Sequence, residues 1–356
     1  MTTDSQETGP PGRRMLDEIR EQPAVLERVL REGVSEAQAV AETVRELGPR
    51  FVLLAARGTS DHAALYAKYL IEITLGLPCG MASPSTLTAY AANPQMSGVL
   101  WIAVSQSGGS TDLIESTVAA RRAGAVTLAV TNRPNSPLAE SARLHLDIRA
   151  GQERAVAATK TYTASLLTLW QFVTGWRGEG TGAARALPEL AAQVAEHAEV
   201  RPIADRYRFV DKLVTTARGY AYPTAREAAL KLMETSYLSA HAFSGADLLH
   251  GPLAMIDQDR PVIAIIPEGV GGAAMRPVVD QLHQRGADLC VVGDTSVVAG
   301  SDCTIGLPTG TDRGVIEQLA PILQIIPLQR LAHTMAVARG YDPDAPRGLH
   351  KVTSTW

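Results

Sequence analysis

Cysteine is scarce in this 356-residue chain: Cys79, Cys290 and Cys303 are its only three. They form no CxxC pair and no metal-ligand spacing, and an odd, sparse count argues against a disulfide framework. A reducing compartment and a cytoplasmic protein without a bound metal fit best. Excess charge is lacking too. With 33 Lys and Arg against 37 Asp and Glu, the net charge is -4, so no global basic field calls for nucleic acid as a partner. No run of about 18 apolar residues predicts a membrane span. The opening MTTDSQETGPPGRR has no apolar signal core; residues 1–14 read as a polar, disordered tail.

What is present is a 46% hydrophobic chain long enough for two domains. Short apolar runs of buried-strand type alternate with helical patterns, the signature of an α/β fold. Strands are predicted at 51–56, 99–104, 126–130 and 144–148, with helices over about 158–178 and 183–198. From about residue 206 the pattern restarts. A strand is expected at 212–217, a helix from Pro223 to about Leu238, strands at 261–266 and 287–292, and a long helix over 314–338. Ala56-Arg57-Gly58 and Ala217-Arg218-Gly219 each close the first strand of a half. This suggests an internal duplication: two tandem doubly wound, flavodoxin-like, parallel-sheet domains in three αβα layers. They would span 15–200 and 201–340, with a C-terminal tail over 341–356. Ligands in such folds sit at the carboxyl ends of the strands.

Two strand-to-helix loops there suit a phosphate. Ser105-Gln106-Ser107-Gly108-Gly109-Ser110 gathers hydroxyls and backbone N–H groups at a helix start, with glycines for close approach. It is neither a Walker A loop nor GxGxxG, so no nucleotide cofactor is implied. Gly58-Thr59-Ser60 repeats the form. An ordinary helix cap is the competing explanation for either loop alone.

Further on, Glu227, Lys231 and Glu234 fall at i, i+4 and i+7 on one helix face, with Leu230, Met233 and Tyr237 expected to pack beside them. A carboxylate kept ionised by a neighbouring lysine suits abstraction of a proton from carbon; a pair of surface salt bridges is the plainer alternative. His250 precedes Gly251-Pro252 and therefore lies on a loop, where it serves either chemistry or loop structure. His62 reads as local structure, and Lys351 by itself as a tail residue.

In this order the segments resemble the isomerase half of glucosamine-6-phosphate synthase, which is built from two sugar-isomerase (SIS) domains. The resemblance runs from Met15-Leu16-Asp17-Glu18-Ile19 and Glu21-Gln22-Pro23 through both loops. It continues over Glu153, Val156 and Ala157-Ala158-Thr159-Lys160, the 227–252 stretch, and Pro346-Arg347-Gly348-Leu349 with Lys351. It implies that Ser60, Ser105, Gln106, Ser107 and Ser110, on loops that include Thr59, hold a 6-phosphate. Glu153, Val156 and Ala158 would lie on the sugar-contacting segment. Glu234 would be the base at C2, Lys231 would move protons at the sugar oxygens, and Lys351 would lie at the C1/C2 end. His250 would open the ring from a partner subunit, which implies a homodimer; no cofactor is implied.

The departures point away from synthase activity. No glutaminase module is read, and Met1 is followed by a short tail rather than a nucleophilic cysteine. Ala158 stands where the family has serine, Gly109 where it has an acidic residue, Asp247 where it has glutamate, and Leu249 where it has a basic residue. The expected activity is deamination and isomerisation of glucosamine 6-phosphate. The alternatives are a dehydratase of N-acetylglucosamine 6-phosphate that expels the C3 hydroxyl, simple aldose–ketose isomerisation, and a non-catalytic sugar-phosphate sensor.

Overall fold

The computed structural model describes residues 9–294, 301–308, 315–349 and 351. The first sheet contains β1 (Phe51–Ala55), β2 (Cys79–Met81), β3 (Val99–Ser105), β4 (Val126–Thr131) and β5 (Leu144–Asp147). The second contains β6 (Lys212–Ala217), β7 (Ser239–Ser244), β8 (Val262–Ile266), β9 (Leu289–Gly293) and β10 (Cys303–Gly306). Every pairing is parallel. The orders are β2-β1-β3-β4-β5 and β7-β6-β8-β9-β10, strand for strand the same. The expected fold class is present, and the duplication hinted at by two Ala-Arg-Gly triplets is explicit in the topology.

The central strands were predictable because both their faces are buried: all of β8 and β9 is inaccessible. The three strands absent from the sequence prediction, β2, β7 and β10, all lie at or next to a sheet edge. Edge strands bury less and so lose the continuous apolar signal.

Seven helices position the site: α1 (Arg13–Arg20), α2 (Thr59–Leu70), α3 (Thr111–Arg122), α4 (Lys160–Arg177), α5 (Tyr222–Ser236), α6 (Gly245–Leu249) and α7 (Ala320–Ala338). Helix α4 is buried on all sides from Lys160 to Trp176, and each of its buried leucines contributes roughly 1.5–3 kcal/mol. It packs on α2, and α2 in turn meets α5 of the second domain, which also rests on α7. The two domains therefore share one core, and α5 is carried to the loops of the first sheet.

Three boundaries differ from expectation. Helix α1 starts at Arg13 because the tail caps it: Gly12 N–H donates to Asp342 (2.9 Å), while Arg14 and Met15 donate to Asp344 (2.8 and 2.9 Å). Helix α5 stops at Ser236 because Tyr237 turns left-handed. Helix α7 begins at Ala320, with Pro321 in its first turn where the missing N–H costs nothing; residue 314 lies outside the described residues. Among the described residues no helix is long and apolar enough to cross a membrane.

The loop after β8 corresponds to the loop after β3, yet it is closed from within. The Glu317 carboxylate accepts the N–H groups of Val270 (3.1 Å) and Gly271 (2.7 Å).

Candidate functional site

The loop after β3 is shaped by its own hydroxyls. Ser105 Oγ accepts the Gly108 N–H (3.1 Å), and Ser107 Oγ accepts that of Gly109 (3.3 Å). Gln106 receives the Asn132 N–H on its carbonyl (3.2 Å), which leaves its side chain half-buried at the loop surface. Ser110 is the N-cap of α3 and makes no side-chain cap bond; a helix start of this kind presents backbone N–H groups suited to an anion. Asp112 in that turn is bridged by Arg57 of the other loop (2.7 Å), which fixes the two loops together.

Gly108 adopts φ 63°, and a Cβ there would lie 2.1 Å from Ser136 Oγ. Gly108→Ala should therefore destabilise the chain by about 1–3 kcal/mol and weaken binding of inorganic phosphate. Thermal unfolding and phosphate titration check this, and an unchanged affinity would remove the loop from the site.

The loop after β1 behaves differently. Ser60 is half-buried. Thr59 instead turns toward α5, where its hydroxyl donates to Glu227 Oε1 (3.0 Å) and accepts from Lys231 Nζ (3.0 Å). Glu227 also receives His62 Nδ1 at Oε2 (2.7 Å). Lys231 lies between two carboxylates, 3.3 Å from Glu227 and 2.6 Å from Glu234. Glu227 and Lys231 are wholly buried, whereas the Glu234 side chain is 22% exposed. Burial works against the Lys231 ammonium, but Glu227 and Glu234 overcome it and raise its pKa above the ordinary lysine value.

This is not a surface salt bridge. It is a desolvated cluster with one carboxylate at its open end. Leu230 is half-buried, Met233 is 41% exposed, and Tyr237 has left the helix. Sequence reasoning underrated His62, although Thr59 and His62 at i, i+3 on α2 share one face.

Glu153 is buried and fully engaged. It accepts the N–H groups of Thr159 (2.9 Å) and Thr161 (3.1 Å), the Thr161 hydroxyl (2.6 Å) and Lys351 Nζ (2.9 Å). Burial opposes its charge, yet Lys351 and these donors hold its carboxyl below the usual range. Glu153 thus shapes the segment rather than offering a free carboxylate, and Val156 and Ala158 lie half-exposed on it. Lys351 donates a second bond to Ala155 O (2.6 Å). From below, Glu18 accepts the Arg154 and Ala155 N–H groups, with burial raising its pKa, and buried Lys160 bridges to Glu21 (2.6 Å).

His250 is not brought to this cluster within the chain. It caps α6 on the exposed loop after β7, and no hydrogen bond or ion pair joins it to Lys231. Among the described residues, no three His, Cys, Asp or Glu side chains are grouped to hold a metal.

The family model described as the SIS domain matches residues 49–175 and 208–339. The glutamine–fructose-6-phosphate aminotransferase (isomerizing) of Methanothermobacter thermautotrophicus is 36% identical over 343 residues, which are 95% of this chain and 56% of that protein. The same enzyme of Thermus thermophilus is 35% identical over 356 residues, 95% of this chain and 58% of it. The chain thus spans a little over half the length of these relatives.

Among solved structures, a candidate phosphosugar isomerase of Silicibacter pomeroyi DSS-3 superposes with TM-score 0.84 at 32% identity, covering 93% of this chain and 99% of its own. The C-terminal domain of glucosamine-fructose-6-phosphate aminotransferase from Francisella tularensis does so at 0.79 and 27%, covering 96% and 100%.

Proposed function

Since this chain belongs to the SIS domain family, we propose that it is a sugar-phosphate enzyme that abstracts the C2 proton of an open-chain hexosamine 6-phosphate. The observation that carries this reading is the buried Glu227–Lys231–Glu234 cluster, in which Lys231 bonds Thr59 of the loop after β1 and Glu234 alone of the three reaches the surface. The ammonium 2.6 Å away orients the Glu234 carboxylate, and a positioned carboxylate is what abstraction of a proton from carbon requires.

In this reading Ser60, Ser105, Gln106, Ser107 and Ser110 hold the 6-phosphate with the N–H groups at the start of α3. Glu234 removes the C2 proton of the open aldose, and the electrons pass to the carbonyl oxygen. Lys231 stabilises the charge that develops there and protonates that oxygen, regaining a proton as the iminium becomes the imine. Return of the proton at C1 converts the enolamine to the C2 imine, and water then displaces ammonia to leave the ketose 6-phosphate. Lys351 lies at the C1/C2 end. His250 opens the ring from a partner copy in a homodimer; its exposed loop position, away from its own chain's cluster, supports that arrangement.

Incubation with glucosamine 6-phosphate should release equal amounts of ammonia and fructose 6-phosphate. Loss of water from the N-acetyl sugar instead would favour the dehydratase, a reading supported by Ala158, whose methyl stands half-exposed on the sugar-contacting segment. Binding with neither turnover nor exchange of the C2 hydrogen with solvent would overturn both and leave a sensor.

A further inference from the structure

Helix α5, which carries Glu234, ends on a residue ill-suited to its backbone. Tyr237 has φ 55°, the left-handed region where a Cβ crowds the backbone and where glycine or asparagine is the usual choice. Such a conformation persists when its surroundings hold it, and it clusters at functional sites.

What holds Tyr237 is the C-terminal tail. The Arg347 N–H donates to the Tyr237 hydroxyl (2.9 Å). The Arg347 guanidinium lies 3.9 Å from the centre of the Tyr237 ring, a close cation–π contact. The Tyr341 ring meets the same ring edge-on at 4.8 Å. Four residues beyond Arg347, Lys351 is bonded to Glu153 and Ala155 in the first domain. Four extended residues reach at most about 14 Å. The end of the Glu234 helix and the Glu153 segment are therefore linked by a short chain fixed at both ends. Its upstream part is pinned as well, through Asp342 and Asp344 at the start of α1.

We propose that Tyr237 and Arg347 are positioning residues for the proposed reaction: the ring fixes Arg347, and Arg347 sets where Lys351 stands relative to Glu234. This rests on the proposed function, in which Lys351 and Glu234 serve the same C1/C2 end.

Tyr237→Gly is the discriminating variant. Glycine adopts φ 55° without crowding, so the helix end survives while the ring is lost. The expected result is a fall in kcat on the order of 10- to 100-fold, the scale of a small misplacement of reacting groups, with KM for the sugar phosphate within about twofold. Tyr237→Phe keeps the ring and should recover most of kcat. Arg347→Ala should match Tyr237→Gly, and the double variant should be no worse than either single, because both remove one latch. Wild-type kcat in both single variants, or losses that multiply independently, would overturn the proposal.

If the wild-type chain turns over no hexosamine phosphate, the proposed function fails separately. The latch is then read from tryptic cleavage after Lys351, which Tyr237→Gly should accelerate several-fold; equal cleavage rates would overturn it.

Discussion

Glu234→Gln is expected to reduce turnover of the hexosamine phosphate by a factor on the order of 10²–10⁴, the range attributed to a positioned acid–base group, while leaving phosphate affinity within about twofold. The amide keeps the size of the side chain and can still accept from Lys231, now 2.6 Å from the carboxylate. What it loses is basicity. Exchange of the C2 hydrogen in heavy water isolates the affected step, because it needs deprotonation but no loss of ammonia or water. Exchange at the wild-type rate in the variant would move the base elsewhere. Loss of phosphate affinity together with exchange would mean that Glu234 supports binding rather than chemistry.

Lys231→Met should be the most destabilising single change in the site, at about 3–5 kcal/mol by urea unfolding. Glu227 and Lys231 have no exposed surface, so removing the ammonium strands a carboxylate in the core. Its other partners are Thr59 at 3.0 Å and His62 at 2.7 Å. Adding Glu227→Gln should recover a large part of the loss, since the uncompensated charge is then gone and the two effects cannot be additive. If the double variant is less stable than Lys231→Met alone, the cluster is held by shape and hydrogen bonding, not by charge balance.

How much of this was legible beforehand follows from the range over which each feature is encoded. Strands such as Val262–Ile266 announce themselves because burial on both faces writes an unbroken apolar run; Ser239–Ser244, on an edge, has one fully buried residue and writes no such run. The spacing of Glu227, Lys231 and Glu234 put them on one face. It did not reveal that this face is driven into the junction of two domains, which depends on α5 meeting α2, as Glu227 meets Thr59 168 positions away. Glu153 could be matched to a sugar-contacting segment, but its four donors could not be foreseen, since one is Lys351, 198 positions away. Tyr237 illustrates the limit best. The apolar pattern carries a helix through it, and only the tail returning from position 347 explains why the helix stops there.

The closed loop of the second domain bears on the history of the duplication. The two halves share one strand order, and in the second the N–H groups of the corresponding loop are taken by Glu317, a side chain of the chain itself. What the second half contributes to the site is a helix, α5, delivered to the other half's loops. Under the proposed function, sequence drift should be paired around 270, 271 and 317, where a change in one partner exposes the other, and unpaired at the hydroxyl loop after β3, where the proposed partner is a small molecule that does not evolve.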